Sequence, residues 1–261
     1  MPSILEFPRP AVTVDVVILT VEDLCLKALL VQRDEQPFRG AWALPGGFVR
    51  VSAPGISTGG SPRDTGLDEG LDEAAQRILN EEAGLPPGRV YLEQLQAFGG
   101  VNRDPRMRVI TIAYFALVGR DIVQSIHAGQ RVLEARWYPL EQLMLTPRPN
   151  KRMAQPPEPA PIELDFDHSL IVETALGRVR TRIEDSDIAF ELVQESFTIA
   201  ELRAVHEVIL GSPCDPGNFR RKFQRMVDDG IVEKAPGRRP TASKPASLFR
   251  FPGRVGRAGN P

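Results

Sequence analysis

Only two cysteines occur in the 261 residues, Cys25 and Cys214, far apart in the chain and in apolar or turn surroundings. That excludes a disulfide framework and a cysteine-rich zinc site, and it fits a reducing compartment. Nowhere is there an uncharged apolar run of the ~18 or more residues that a membrane helix needs. The first residues also lack the basic segment and apolar stretch of a signal peptide. The expectation is a soluble cytoplasmic protein with no membrane partner. An excess of charge is missing too, since 32 Lys and Arg face 34 Asp and Glu, a net of −2. Taken as a total, this argues against a polyanionic partner; its distribution argues the opposite. From residue 197 to the end, 12 Lys and Arg oppose 6 Asp and Glu, a net of +6, and the rest of the chain holds 20 against 28, a net of −8.

What is present is divided by two Pro/Gly-rich stretches. Residues 51–66 are small, polar and aperiodic, and residues 146–162 hold six prolines, so both read as surface loops or linkers. Before the second linker, short β-rich runs at 12–19, 26–33, 90–98, 109–118 and 135–138 are interrupted by one helical pattern at 71–82, which predicts an α+β unit dominated by its sheet. After it the pattern turns helical. Residues 167–179 and 188–193 are candidate helices, and 198–210 is a strong one, opened by a Thr198-x-x-Glu201 capping box with Ile199, Leu202, Val205 and Ile209 on one face. A turn at 211–214 leads to Asp215 as N-cap, Pro216 at the first helical position and a helix to Asp229 closed by Gly230. The expected division is 1–145, a linker at 146–163, connecting helices at 164–196, and 197–261.

Two segments carry chemistry in the first part. Leu44-Pro45-Gly46-Gly47-Phe48-Val49 is a glycine turn after a strand, and Glu69-x7-Arg77-Ile78-Leu79-Asn80-Glu81-Glu82-Ala83-Gly84-Leu85 is an acidic helix. Together they resemble the Nudix box, G-x5-E-x7-R-E-U-x-E-E-x-G-U with U aliphatic. The resemblance implies a diphosphate site in which helix glutamates on adjacent turns hold Mg²⁺ and activate water. Gly47 and Glu69 are 22 positions apart where the family has 6, so residues 51–66 are an insertion, and loop closure makes it cheap. The family's glutamate after the box arginine is Ile78 here. Arg77 is an i,i+4 neighbour of Glu81, and Ile78 of Glu82; a branched alkyl group at 78 removes two acceptor oxygens. Glu69, Glu81 and Glu82 therefore stand as weak metal ligands or none, and Mg²⁺ is not a required cofactor. Taken in isolation such a helix reads first as an ordinary amphipathic one, with Leu71, Ala74, Ala75, Ile78 and Leu79 toward a core; the Pro45-Gly46-Gly47 turn and the register favour a relict ligand site.

The surrounding text, Val14 to Ile18, Leu29 to Arg33 and Gly40 to Val49, looks like an ADP-ribose-type Nudix domain. On that resemblance Arg33, Trp42, Gly46, Gly47, Arg77, Glu81, Glu82, Arg103, Arg106 and His168 are the candidate ligand-binding residues. The turn Arg103-Asp104-Pro105-Arg106 suits bidentate capture of phosphate or carboxylate, or is a solvated hairpin end. Trp42 either stacks on a base or packs.

In the second part, Asp165-Phe166-Asp167-His168, Ala189-Phe190-Glu191-Leu192, Phe197 to Leu202, Asn218-Phe219-Arg220-Arg221-Lys222-Phe223 and Leu248-Phe249-Arg250-Phe251 resemble the Nudix-related transcriptional regulators of NAD metabolism. The resemblance implies a Nudix-like α/β/α sandwich with a mixed sheet followed by a winged helix-turn-helix. Independently, helix, turn, helix, a strand at 231–232, a basic loop around Pro236-Gly237-Arg238-Arg239 and a strand at 247–251 describe the same motif. Asn218, Arg220, Arg221, Lys222 and Arg225 are expected to meet operator DNA in the major groove, with Arg238, Arg239 and Lys244 on phosphates or in the minor groove.

The expected function is a homodimeric repressor of NAD biosynthesis and salvage genes, released from double-stranded operator DNA by ADP-ribose. The competing expectation is an active Mg²⁺-dependent ADP-ribose pyrophosphatase, and a third is an interaction module with neither activity.

Overall fold

A computed structural model describes residues 9–51, 68–88, 90–123, 126, 132–143, 162–184, 186–241 and 244–253. The insertion at 51–66, save its first residue, and the proline-rich linker at 146–162, save its last, lie outside these.

Strand β1 (Ala11–Glu22) is buried along almost its whole length, as its apolar run requires of a central strand. Successive side chains point to opposite faces, and each face feeds its own apolar cluster: Val14, Val16 and Ile18 on one side, Val17, Leu19 and Val21 on the other. β2 (Cys25–Arg33), β3 (Trp42–Ala43), β4 (Gly46–Phe48), β5 (Tyr91–Phe98), β6 (Val109–Leu117) and β7 (Val132–Pro139) complete a seven-stranded sheet. Its main path is β3-β2-β1-β6-β5, with β4 on β1 and β7 on β2. The β1–β6 pair is parallel and the others antiparallel, so the sheet is mixed.

Helix α1 (Leu71–Ala83) covers the first face with Ala74, Ala75, Ile78, Leu79 and Ala83, and stops where Gly84 takes a left-handed φ of 66°. A four-residue turn of helix, α2 (Arg120–Val123), follows β6. Helix α3 (His168–Arg182) covers the second face through Ile171, Val172, Ala175 and Val179. That cluster runs on without a break into α4 (Ile199–Leu210) through Leu202, Val205 and Ile209, and into α5 (Pro216–Asp228) through Phe219 and Phe223. The sheet and the helical end thus share one apolar core. Among the described residues no helix is long and apolar enough to cross a membrane.

The local signals behave as their chemistry dictates. Thr198 Oγ1 accepts from the N–H of Glu201 while Glu201 Oε2 accepts from that of Thr198, and Asp215 Oδ1 accepts from the N–H of Asn218. Two expectations change. Residues 187–192 form 3-10 turns rather than an α-helix, a segment too short to propagate the wider helix and held by burial of Ile188, Phe190 and Leu192. Ile231 and Val232 are not strand: both N–H groups return to Met226 O, closing α5 around Gly230 at φ 74°. The wing is instead β8 (Glu233–Arg239) and β9 (Ala246–Arg250), so Pro236 and Gly237 lie within a strand, at a bulge between Ala235 and Arg238.

Candidate functional site

The glycine turn, α1 and the loop 100–106 enclose a cavity of about 340 Å³ beside β1. β4 pairs with β1 so that Gly46 faces Asp15, and a Cβ on Gly46 would stand 2.2 Å from Asp15 Oδ1 and 3.0 Å from Val14 O. Any larger residue there would have to displace the Asp15 carboxylate. At Gly47 a Cβ would meet the Ile78 side chain at 3.9 Å, an ordinary contact.

The box carboxylates converge on this turn, and each already has a partner. Glu82 Oε2 accepts from the N–H of Gly46 at 3.0 Å. Glu81 accepts from Arg50 Nη2 at 3.0 Å and Arg77 Nη1 at 3.1 Å. Glu69 takes both arms of Arg77, Nη2 at 2.6 Å and Nε at 2.8 Å, and the backbone N–H of Arg50 at 2.7 Å. Burial pushes the Glu69 carboxyl up, but the hydrogen bonds from Arg77 and from Arg50 outweigh it and hold the group below the usual carboxylate range. Arg77 also reaches Phe48 O at 3.0 Å. Because Arg50 and Glu69 exchange backbone contacts as well, with Glu69 N–H donating to Arg50 O at 3.1 Å, the ends of the insertion are stitched together and the box keeps its geometry across 22 positions. Ile78, 1% exposed, packs in the apolar cluster under the turn. Among the described residues no three His, Cys, Asp or Glu side chains are grouped to hold a metal ion, and Glu69 and Glu81 are engaged by arginines.

Arg33, Arg50, Arg77, Arg103 and Arg106 all line the cavity. Arg33 donates to Pro37 O and lies 5.1 Å from the centre of the Phe166 ring. Arg106 is chelated by Asp104 at 2.8 and 3.1 Å and lies over Phe48. Its hydrogen bonds hold the Asp104 carboxyl below the usual range against the opposing effect of burial. Arg103 is nearly enclosed and joins two carboxylates: Nη2 reaches Asp15 Oδ2 at 3.1 Å and Asp167 Oδ1 at 2.7 Å. His168 Nδ1 accepts from the N–H of Leu44 at 3.0 Å, which places the ring proton on Nε2, facing Asp15 Oδ1 at 3.7 Å. Burial lowers the His168 pKa despite Asp15, so the ring is neutral.

Of the residues expected in the pocket, Arg33, Gly46, Gly47, Arg77, Glu81, Glu82, Arg103, Arg106 and His168 meet there. Trp42 does not: it packs edge-on against Tyr138 at 4.9 Å, under Arg136. Asp15, Arg50, Asp104 and Phe166 were missed. Asp15 had a signal, as the one charge in β1 before its last residue, Glu22.

On α5, Asn218, Arg221 and Arg225 are exposed on one edge, with Arg221 hydrogen-bonded to Asn218 Oδ1, and Arg220 is exposed beside the α4–α5 groove. Arg238 and Lys244 are exposed at the far end of the wing. Two basic residues turn away from this face. Lys222 Nζ donates to Glu184 O at 2.6 Å, and Arg239 binds Glu201 at 2.5 Å and Ser196 O at 2.9 Å, tying the wing to the start of α4.

The NUDIX domain model matches residues 9–158 and the NrtR DNA-binding winged helix domain model matches residues 189–251. The chain is 31% identical over 246 residues to the ADPR responsive transcriptional repressor NtrR of Acinetobacter baylyi, covering 94% of this chain and 84% of the relative. Shewanella oneidensis NrtR crystallised with a 27mer DNA superposes with a TM-score of 0.70 at 31% identity, covering 92% of this chain and 93% of that one. The NUDIX domain of the same protein with ADP ribose superposes with a TM-score of 0.50 at 32% identity, over 68% of this chain and 94% of that one.

Proposed function

Because the chain belongs to the NUDIX family and carries the NrtR winged helix domain, we propose that it is an ADP-ribose-responsive transcriptional repressor of NAD biosynthesis and salvage genes. The observation that carries this reading is the joining, in one apolar core, of an arginine-lined cavity to a capped helix with Asn218, Arg221 and Arg225 exposed on its edge. A diphosphate suits the cavity, where guanidinium groups are on hand for bidentate contacts. An edge of Asn and Arg suits base contacts in a major groove, and Arg238 and Lys244 suit phosphates. In this reading residues 1–145 sense the ligand, 146–163 link, 164–196 connect and 197–261 bind DNA. The repressor acts in the cytoplasm as a homodimer on a pseudo-palindromic operator.

The box is read as a binding site without turnover. Ile78 stands where the family has a carboxylate, the remaining glutamates are engaged by arginines or backbone, and ADP-ribose binding needs no Mg²⁺. The test is an electrophoretic mobility shift on upstream DNA of NAD-synthesis genes, titrated with ADP-ribose and with NAD. A shift reversed by ADP-ribose is expected. Absence of a shift at moderate salt, or one indifferent to ADP-ribose, overturns the reading.

A further inference from the structure

The Arg103 guanidinium is shared between a carboxylate that cannot leave and one that can. Asp15 sits in the centre of the sheet with its side chain 9% exposed, whereas the Asp167 side chain is 21% exposed and stands at the start of α3. Asp167 occupies the N-cap position yet makes no side-chain cap; its carboxylate is spent on Arg103, at 2.7 and 3.0 Å. An anion entering the cavity beside Arg103 competes for the same donors. A displaced Asp167 regains water, while a displaced Asp15 would stay buried without its counter-ion. Asp167 is therefore the partner that yields.

The other end of α3 holds the DNA-binding helices. Arg180 Nε donates to Ile209 O at 2.8 Å, in the last turn of α4, and just past the helix Glu184 O accepts from Lys222 Nζ of α5 at 2.6 Å. At this same end, Arg178 and Arg182 are both paired with Glu93 of β5. A helix of 15 residues is about 22 Å long and behaves as a rod over that distance. Its first turn is in the cavity wall, its last turn is bonded to α4, and the residue two positions beyond it is bonded to α5.

We infer that α3 transmits the state of the cavity to the DNA-binding helices: a ligand phosphate takes Arg103 from Asp167, and the released helix carries the change to α4 and α5 through Arg180 and Glu184. This rests on the proposed function, since it assigns the coupling between the two activities named there. Coupling is reciprocal, so whatever ligand binding does to DNA affinity, DNA does to ligand affinity by the same factor.

The test uses the full chain, measuring ADP-ribose affinity with and without operator and operator affinity with and without ADP-ribose, in wild type, Asp167→Asn and Arg180→Met. Wild type is expected to show a coupling factor of about 5 to 150. Asp167→Asn, which keeps a capping residue but gives Arg103 no charge, is expected to bind ADP-ribose at least about threefold more tightly and to lose coupling, because the ligand no longer has to break the ion pair. Arg180→Met, far from the cavity, is expected to keep the free protein's ADP-ribose affinity and lose coupling. Coupling retained at the wild-type factor in either folded variant overturns the inference and leaves the repressor reading standing. A wild type that binds neither ADP-ribose nor operator removes both.

Discussion

Arg77 and Glu69, eight positions apart, meet fork to fork: two guanidinium nitrogens on two carboxylate oxygens at 2.6 and 2.8 Å, both side chains less than a sixth exposed. The same guanidinium holds Glu81 and Phe48 O, so one side chain joins the start of α1, its third turn and the glycine turn. Lysine offers a point charge without the planar fork. Arg77→Lys is expected to lower stability by about 1–3 kcal/mol, the range for losing charge-assisted hydrogen bonds, measured by urea unfolding at pH 7.5. An unchanged midpoint would show that the cluster contributes only surface electrostatics.

If the carboxylates are committed to arginines, chelating metal should change nothing. ADP-ribose is expected to release operator DNA equally in EDTA and in Mg²⁺, and incubation with ADP-ribose and Mg²⁺ is expected to yield AMP at least about 100-fold more slowly than ordinary turnover of 1–10³ per second. Ile78→Glu adds the absent acceptors but in a place 1% exposed within an apolar cluster. That variant should lose about 1–3 kcal/mol for the buried polar group, and AMP release that rises above wild type would identify position 78 as the missing contributor to hydrolysis.

Much of the fold was written locally. The capping pairs Thr198–Glu201 and Asp215–Asn218, the Gly84 stop and the alternation in β1 depend on spacing within a turn or a strand, and a single sequence displays spacing. The ion network around Arg103 was not legible in this way. Its partners lie 88 and 64 positions away and are brought together only by β1 and α3 packing on either side of the loop. Residue type alone likewise could not say that Arg239 faces Glu201, 38 positions upstream, or that Trp42 faces Tyr138. The continuous core has the same origin: two amphipathic patterns separated by a proline-rich linker read as two units, and tertiary packing merges them, through α3 against the sheet and α4, α4 against β2, and residues 187–192 against β6.

His168 gives the fold a pH dependence with a defined sign. Burial lowers its pKa, and the ring feels the charges of Asp15 on β1, Arg103 in the 100–106 loop, Asp167 just before α3 and Arg33 on β2. The unfolded chain takes up a proton near pH 6.5, while the folded one resists until a lower pH. Stability is therefore complete above about pH 6.5 and falls as pH drops toward the folded value, by at most about 1.4 kcal/mol per pH unit for each such group. His206, also lowered by burial, adds a contribution of the same sign. In urea unfolding between pH 7.5 and 5.5, His168→Asn, whose Oδ1 still accepts from Leu44, is expected to show a shallower loss than wild type. An equal slope would assign the whole dependence elsewhere.

The three arginines at the DNA-facing end should separate in a single binding experiment. Arg221 is exposed on the edge of α5 beside Asn218, Arg238 is exposed on the wing, and Arg239 is occupied by Glu201 and Ser196 O. Arg221→Ala is expected to weaken operator binding by about 1–3 kcal/mol and relax preference at one base position, as loss of a base contact does. Arg238→Ala is expected to weaken operator and random DNA alike and to reduce the slope of affinity against salt by about one. Arg239→Ala should leave that slope unchanged and instead lower the unfolding midpoint, because its guanidinium anchors β8 to α4. A salt slope that falls as much for Arg239 as for Arg238 would return Arg239 to the phosphate contacts and leave Glu201 as a partner it abandons on DNA.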